Sequence, residues 1–216
     1  MKKYTYILFD LDGTVTDSEE GIINSIKYCL SYYGINSPDP SFIKKFIGPP
    51  LVQSLIEHYA FESKEAERAV EIYNEYFSKK GIFENRLFPG IYQLLETLHQ
   101  NRKIIILATS QPSYLAKKIT KHFNIHKYFT NIVGSNKDGT RMEKKEILQH
   151  ILDLYPEVPR EKFIMIGDRK HDIHGAKYHD IDSVWVNHGY GDDEEKKLSI
   201  PSYIVDNVED LYNLLL

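Results

Sequence analysis

The sequence predicts an α/β fold: a parallel sheet covered on both faces, interrupted once by an all-helical insert. Three observations carry this. Short apolar runs such as Tyr6-Ile7-Leu8-Phe9, residues 103–108 and residues 163–166 are continuous rather than alternating in polarity, as strands buried on both faces are. From Pro89 onward such runs alternate with segments whose apolar residues recur at helical spacing, the pattern of βαβ units. Residues 15–82 carry helical spacing alone.

The elements follow in order. Residues 6–9 form the first strand, and Gly13 permits a sharp exit from it. A helix comes next. Asp17 with Glu20 has the form of a capping box, Ile22, Ile26, Leu30 and Tyr33 keep helical spacing, and Gly34 ends the element. Ser37-Pro38-Asp39-Pro40 breaks the chain. Phe42 and Phe46 share a helical face, and Gly48-Pro49-Pro50 reads as a rigid turn that opens a helix through Leu51, Leu55, Ile56 and Tyr59. Ala66, Ala69, Val70, Tyr73, Tyr76 and Phe77 make another, closed by Lys79-Lys80-Gly81. After Pro89, Ile91, Leu94, Leu95 and Leu98 predict a helix, and residues 103–108 a second strand ending in Thr109-Ser110-Gln111-Pro112. A helix through Leu115, Ile119 and His122 leads to a third strand, 129–133, which ends at Gly134-Ser135. A helix over 142–154 leads to a fourth strand, 163–166, which ends in Gly167-Asp168. Residues 183–187 and 203–205 are the fifth and sixth strands, and 208–215 the last helix. Right-handed crossovers then give a three-layer, Rossmann-like α/β/α core of residues 1–14 and 83–216, with 15–82 as the insert. An insert straight after the first strand overhangs its carboxyl end, the position of a lid.

Composition narrows the classes. With 216 residues the chain is one domain, or one domain with an insert, and long enough to bury a sizeable core. A net charge of -4 leaves no electrostatic footprint for nucleic acid or an anionic membrane. Cys29 is the only cysteine, so no intrachain disulfide is possible, and a reducing, cytoplasmic compartment is expected. Lys2 and Lys3 precede an apolar run too short for a signal peptide, because Asp10 interrupts it. No segment approaches the roughly 20 apolar residues of a membrane span.

The chemistry concentrates where strands end. Asp10 and Asp12 stand one residue apart at the carboxyl end of the first strand, where open parallel sheets bind ligands. Two carboxylates about 4 Å apart repel by roughly 4 kcal/mol at an effective dielectric near 20, so a cation, a proton or divergent side chains must relieve them. A surface Asp-x-Asp-Gly turn is the bland alternative; a calcium loop fails, since Gly13 comes two positions too early. The second strand ends in Thr109 and Ser110, which could otherwise cap a helix. Lys144 opens the helix after the third strand and could otherwise be solvated. The fourth strand ends in Gly167-Asp168-Arg169-Lys170-His171-Asp172, where Asp168 could be an N-cap and Asp172 a first-turn dipole partner. Together they suit phosphoryl transfer, which needs a cation, hydroxyls, a nucleophile and a hard metal such as Mg²⁺. His171 and His174 gain no thiolate or third histidine, so a zinc site is not expected.

Asp10-Leu11-Asp12-Gly13-Thr14, Thr109 after an apolar strand, Lys144, and Gly167-Asp168 followed by Asp172 together resemble the four motifs of the haloacid dehalogenase-like hydrolases. Phe46-Ile47-Gly48-Pro49-Pro50-Leu51, Ala108 to Pro112, Gly134 to Arg141 and Gly167 to Asp172 are most similar to the phosphoglycolate phosphatase-like or 5′-nucleotidase-like branch, and the insert resembles its small α-helical cap. The resemblance implies a phosphatase acting on a small phosphorylated metabolite. It implies that Asp10 is the nucleophile and forms a phosphoaspartyl intermediate, and that Asp12 serves as acid and then base. It assigns phosphate binding to Thr109 and Lys144, and Mg²⁺ to Asp10, the Asp12 carbonyl and Asp168, with Asp172 second-shell or water-mediated. Lys144 is preferred over Lys145 because the pattern of the branch it resembles places the lysine three residues after Arg141. Arg169 stands where many relatives have serine, and is expected to contact phosphate or substrate, or to pair with an acid. Gly48, Leu51 and Ser110 are the further candidate substrate contacts. The expected partners are small molecules, not nucleic acid or membrane, and the chain is expected as monomer or homodimer. A phosphomutase, which shares the Asp pair, and a silent regulatory relative are the competing readings; a dehalogenase is disfavoured because it needs no second carboxylate.

Overall fold

A computed structural model of the chain describes residues 4–36, 39, 42, 46–47, 51–136, 138 and 140–216. Gly48-Pro49-Pro50 and most of Ser37-Pro38-Asp39-Pro40 lie outside those residues. The chain forms two compact units, residues 1–17 with 87–216 and residues 18–86.

The strands, in chain order, are β1 (Tyr6–Phe9), β2 (Thr16–Asp17), β3 (Arg86–Leu87), β4 (Ile104–Pro112), β5 (Asn131–Ser135), β6 (Phe163–Gly167), β7 (Asp182–Val186) and β8 (Tyr203–Val205). The chain passes between the units at β2 and β3, which pair with each other, and the other strands form one sheet in the order β5-β4-β1-β6-β7-β8. Every pairing in that sheet is parallel. Strand order reverses about β1, with β4 on one side and β6 on the other, which makes its carboxyl end a topological switch point. Phe9 lies opposite Leu107 and Ile166, so the next residue of each strand, Asp10, Ala108 and Gly167, falls in one layer. The Asp10 N–H donates to the Ile166 carbonyl at 2.9 Å and carries the pairing one step beyond the strand.

Alternate residues of the central strands face opposite helix layers, as period two requires. Leu8, Ile106, Ala108, Val133, Phe163 and Met165 pack with Ile147, Leu148, Ile151 and Ala176 of helices Lys144–Asp153 and Lys170–Tyr178. Helices Ile91–Gln100, Ser113–His122 and Val208–Leu215 pack on the other side through buried residues such as Leu95, Ile119 and Leu211. The second unit contains helices Glu19–Tyr32, Leu51–Tyr59 and Ser63–Phe77, packed through Ile26, Leu30, Leu55, Ala69 and Ile72. Cys29 is buried there, its thiol donates to the Ala69 carbonyl at 3.2 Å, and burial pushes its pKa up to about 11, which makes it inert packing. No helix among the described residues is long and apolar enough to cross a membrane.

Several local readings need correction. The helix after β1 starts at Glu19 with Ser18 at its N-cap, and no side-chain cap bond forms, so Asp17 and Glu20 make no capping box. The Asp17 carboxylate instead accepts from the Tyr190 hydroxyl at 2.9 Å. The second strand runs on to Pro112 through an irregular pairing after Ala108, and the third starts at Asn131 rather than 129. Thr109 and Ser110 therefore belong to the strand, and Pro112 occupies the N-cap of the next helix. Helix Asp193–Ser199 was not foreshadowed by periodicity: its buried residue is a single serine, so it has no apolar stripe.

Phe163 is fully buried in the sheet core, with ring centroids 4.6 Å from Tyr6 and 6.5 Å from Tyr155. Phe163→Ala is expected to cost about 3–5 kcal/mol of stability, read as a lower midpoint in urea unfolding.

Candidate active site

The site is assembled at the carboxyl ends of β1, β4 and β6. Just past β1, Val15 and Thr16 N–H groups donate to the Leu11 carbonyl at 2.9 Å and Gly13 N–H donates to the Thr16 carbonyl at 2.8 Å, so residues 11–16 close a tight loop. Gly13 has φ +81°, and a Cβ there would come within 2.2 Å of the Asp168 carboxylate. Only glycine meets both demands, so this residue lets the loops after β1 and β6 touch.

Lys144, the first residue of helix Lys144–Asp153, is buried and spends its ammonium on three oxygens. It lies 2.9 Å from Asp10 Oδ1 and 2.7 Å from Asp172 Oδ1, and it donates to the Ala108 carbonyl at 2.7 Å. Burial works against the charge, but Asp10 and then Asp172 outweigh it and push the pKa upward. Its neighbour Lys145 is exposed and pairs with Glu143 at 2.7 Å.

Asp10, Asp168 and Asp172 each offer a carboxylate oxygen within 4.8 Å of the others. Asp168 and Asp172 are buried, and Asp10 is half-buried. Thr14 Oγ1 donates to Asp168 Oδ1 at 3.1 Å, and the Tyr190 N–H donates to Asp168 Oδ2 at 2.8 Å. Burial, followed by the charges of Asp172 and Asp10, pushes the Asp168 pKa well above the usual carboxylate range. Burial raises Asp172 to about 6 although Lys144 pulls it down. An all-oxygen donor set of this kind fits a hard divalent cation rather than zinc or copper.

The remaining candidates are placed as follows. Asp12 is half-buried in the closed loop, outside that group of three carboxylates. Thr109 is buried and its Oγ1 accepts the Gln111 N–H at 3.1 Å, while Ser110 is exposed and its carbonyl accepts from Ser135 Oγ at 3.0 Å. The Asp172 Oδ2 accepts the Arg169 N–H at 3.1 Å, so Asp172 reaches back over the start of its helix. Asp168 is not the N-cap; Arg169 is. The Arg169 guanidinium pairs with Glu195, at 3.0 and 3.2 Å from Nε. Leu51 is half-buried at the start of a helix in the other unit, and Gly48 lies outside the described residues. His171 and His174 are exposed. Sequence reasoning gave no role to the segment after β7, where Tyr190 and Glu195 contact Asp168 and Arg169. The signal was Gly189-Tyr190-Gly191, since a Cβ on Gly189 would meet Asp168 Cβ at 2.1 Å.

The chain matches the haloacid dehalogenase-like hydrolase family over residues 7–186. A 5′-nucleotidase of Pseudomonas aeruginosa is 41% identical over 201 residues, 93% of this chain and 90% of that one. The tyrosine-protein kinase PtkA of Mycobacterium tuberculosis is 38% identical over 185 residues, 86% of this chain and 62% of the kinase. The crystal structure of a candidate phosphatase from Clostridium difficile matches with a TM-score of 0.91 at 50% identity, over 100% of both chains.

Two outcomes follow from the geometry. Lys144→Met leaves Asp10 and Asp172 facing each other without their cation, and is expected to cost about 3–5 kcal/mol in urea unfolding without metal. The second concerns pH. A carboxyl whose folded pKa is raised favours folding while it is protonated, and that contribution is lost as pH rises through the folded value, here about 6 for Asp172. A divalent cation takes the place of those protons, so added Mg²⁺ is expected to raise the melting temperature more at pH 7.5 than at pH 5.

Proposed function

The chain belongs to the haloacid dehalogenase-like hydrolase family, and from that premise we propose that it is a Mg²⁺-dependent phosphatase. Its substrate is a small phosphomonoester of the 5′-nucleotide or phosphoglycolate type, hydrolysed through a phosphoaspartyl intermediate on Asp10. The single observation that carries the reading is the buried Lys144 ammonium on Asp10 Oδ1, within a cluster of three carboxylates at the switch point of the sheet.

Asp10, Asp168 and Asp172, with the Asp12 carbonyl, are the residues that would hold the cation. When bound, it supplies positive charge that offsets the carboxylates and the phosphate. The rest of the work falls to the chain. Asp10 attacks phosphorus with a carboxylate oxygen, and the bond from phosphorus to the ester oxygen breaks. Asp12 gives its proton to the departing alkoxide, then takes one from the water that attacks the phosphoaspartate. Inorganic phosphate leaves, and Asp10 and Asp12 return to their starting states. Lys144 and Thr109 bind the phosphoryl oxygens, where charge spreads in the transition state. Lys144 is already desolvated and held by the Ala108 carbonyl, and it reaches a phosphoryl oxygen by sharing a hydrogen that now lies on Asp10 or Asp172. Leu51, in the helical unit, contributes to selection.

Phosphate release from an aryl phosphate, then from nucleotides, phosphoglycolate and sugar phosphates, tests this with Mg²⁺ and with EDTA. Wild type is expected to need Mg²⁺, and Asp10→Asn to lose at least about a thousandfold in kcat. Release of free phosphate also separates hydrolysis from a mutase, which retains the phosphoryl group. A folded wild type inactive on the whole panel would sink the proposal.

A further inference from the structure

We propose that Glu195 is a positioning residue for the cation-binding carboxylates: it grips the short segment between Asp168 and Asp172 and so fixes both. The inference rests on the reading of the three-carboxylate group as a divalent-cation site.

The segment in question is Arg169-Lys170-His171, where β6 gives way to helix Lys170–Tyr178. The first N–H groups of a helix have no partner inside it and take one from outside. Glu195 supplies it. Its Oε1 accepts the Lys170 N–H at 2.6 Å, and the same carboxylate accepts Arg169 Nε at 3.0 Å and Nη2 at 3.1 Å. The side chains of Arg169 and Glu195 are only 15% and 12% exposed, so water competes little for these bonds. One carboxylate therefore holds a main-chain donor and a forked side chain on the two residues that follow Asp168.

Glu195 is itself held. It stands in helix Asp193–Ser199, whose N-cap Asp192 accepts the Glu195 N–H at 2.7 Å. The next residue, Lys196, donates to Asn187 Oδ1 at 2.9 Å and ties the helix to the end of β7. Five residues before Glu195, the Tyr190 N–H holds Asp168 Oδ2. Residues 190–195 thus fasten the loop at Asp168 and at the helix start, while Asp172 closes it from the inside by accepting the Arg169 N–H. Without Glu195, the Arg169 guanidinium and the Lys170 N–H lose their bonds to it, and the turn that carries Asp168 and Asp172 loses one of its fastenings. Residues that orient metal ligands from one shell out cost 10–100-fold in affinity or activity when removed.

Mg²⁺ binding measured by isothermal titration calorimetry on the whole chain tests this, beside kcat and KM for whichever phosphomonoester the wild type hydrolyses. Glu195→Ala is expected to weaken Mg²⁺ about tenfold and to lower kcat, with KM for the phosphomonoester within about twofold of wild type. Glu195→Gln keeps an oxygen for the Lys170 N–H and is expected to fall between the two in Mg²⁺ affinity. If Glu195→Ala does not fold, Arg169→Met with Glu195→Leu removes the pair without stranding a charge and carries the same tenfold expectation. Mg²⁺ affinity within twofold of wild type in the folded variant overturns the inference, and so does a raised KM with kcat unchanged, which would make the pair a substrate contact. Weakened Mg²⁺ binding in a chain that hydrolyses nothing upholds this role while the phosphatase reading fails. A wild type that takes up no Mg²⁺ overturns both.

Discussion

Lys144 sits 2.9 Å from Asp10 and 2.7 Å from Asp172, deep enough that solvent hardly reaches it. A lone ammonium in such a place would give up its proton rather than stay charged. It stays charged because two carboxylates face it, and they tolerate burial because it faces them. The rest of the α/β unit arranges this meeting. The register of β1 against β4 and β6 brings Asp10 and Ala108 level, and the Ala108 carbonyl takes the third ammonium hydrogen. The helix that begins at Lys144 packs through Ile147, Leu148 and Ile151 on the sheet, which delivers the long side chain to the right depth. A hydroxyl and one N–H reach Asp168, yet burial, and after it the charges of Asp172 and Asp10, keep its pKa well above normal.

How much of this could be read in the sequence depended on whether a feature repeats along the chain. Strands buried on both faces announce themselves as apolar runs, and Tyr6–Phe9 came out to the residue. Polar residues just past such runs are legible as site candidates, because a parallel sheet puts all its carboxyl ends on one side. The pairing of Lys144 with both Asp10 and Asp172 was not legible, since it depends on how deep a helix sits. The capping box at Asp17 failed for a similar reason: a local pattern names possible partners, and Asp17 accepts from Tyr190, 173 residues away. Asp192 and Glu195 likewise have the spacing of a capping box, but the Glu195 carboxylate goes to Arg169 and Lys170. Short-range rules fail where a tertiary partner offers a stronger bond.

The segment after β7 has no periodic apolar residues, and its contribution is made of single hydrogen bonds and close approaches. Gly189 earns its place only through the Cβ it lacks, which leaves room for Asp168. Such a loop is invisible to composition and becomes legible only once β7 is known to neighbour β6. Arg169 illustrates the ambiguity. An arginine between two aspartates reads equally as an anion contact or as part of an ion pair, and the decisive acid lies 26 residues further on.

The two units carry different kinds of residue. The one group of candidate metal-binding carboxylates among the described residues belongs wholly to the α/β unit, as do Lys144 and Thr109. The helical unit is held by apolar and aromatic packing, for example Phe42 against His58 at 5.3 Å and Tyr33 against Phe61 at 4.9 Å. In the proposed reaction the acid cluster acts on the phosphoryl group, which every phosphomonoester shares, so it cannot by itself choose among leaving groups. Choice has to come from residues that touch the rest of the substrate, and those are free to vary without disturbing the balance of charge around Lys144. On the proposed mechanism, a substitution that changes substrate ranking while leaving Mg²⁺ affinity intact therefore belongs outside the acid cluster, whereas one that weakens metal and turnover together belongs to the loops that hold Asp168 and Asp172.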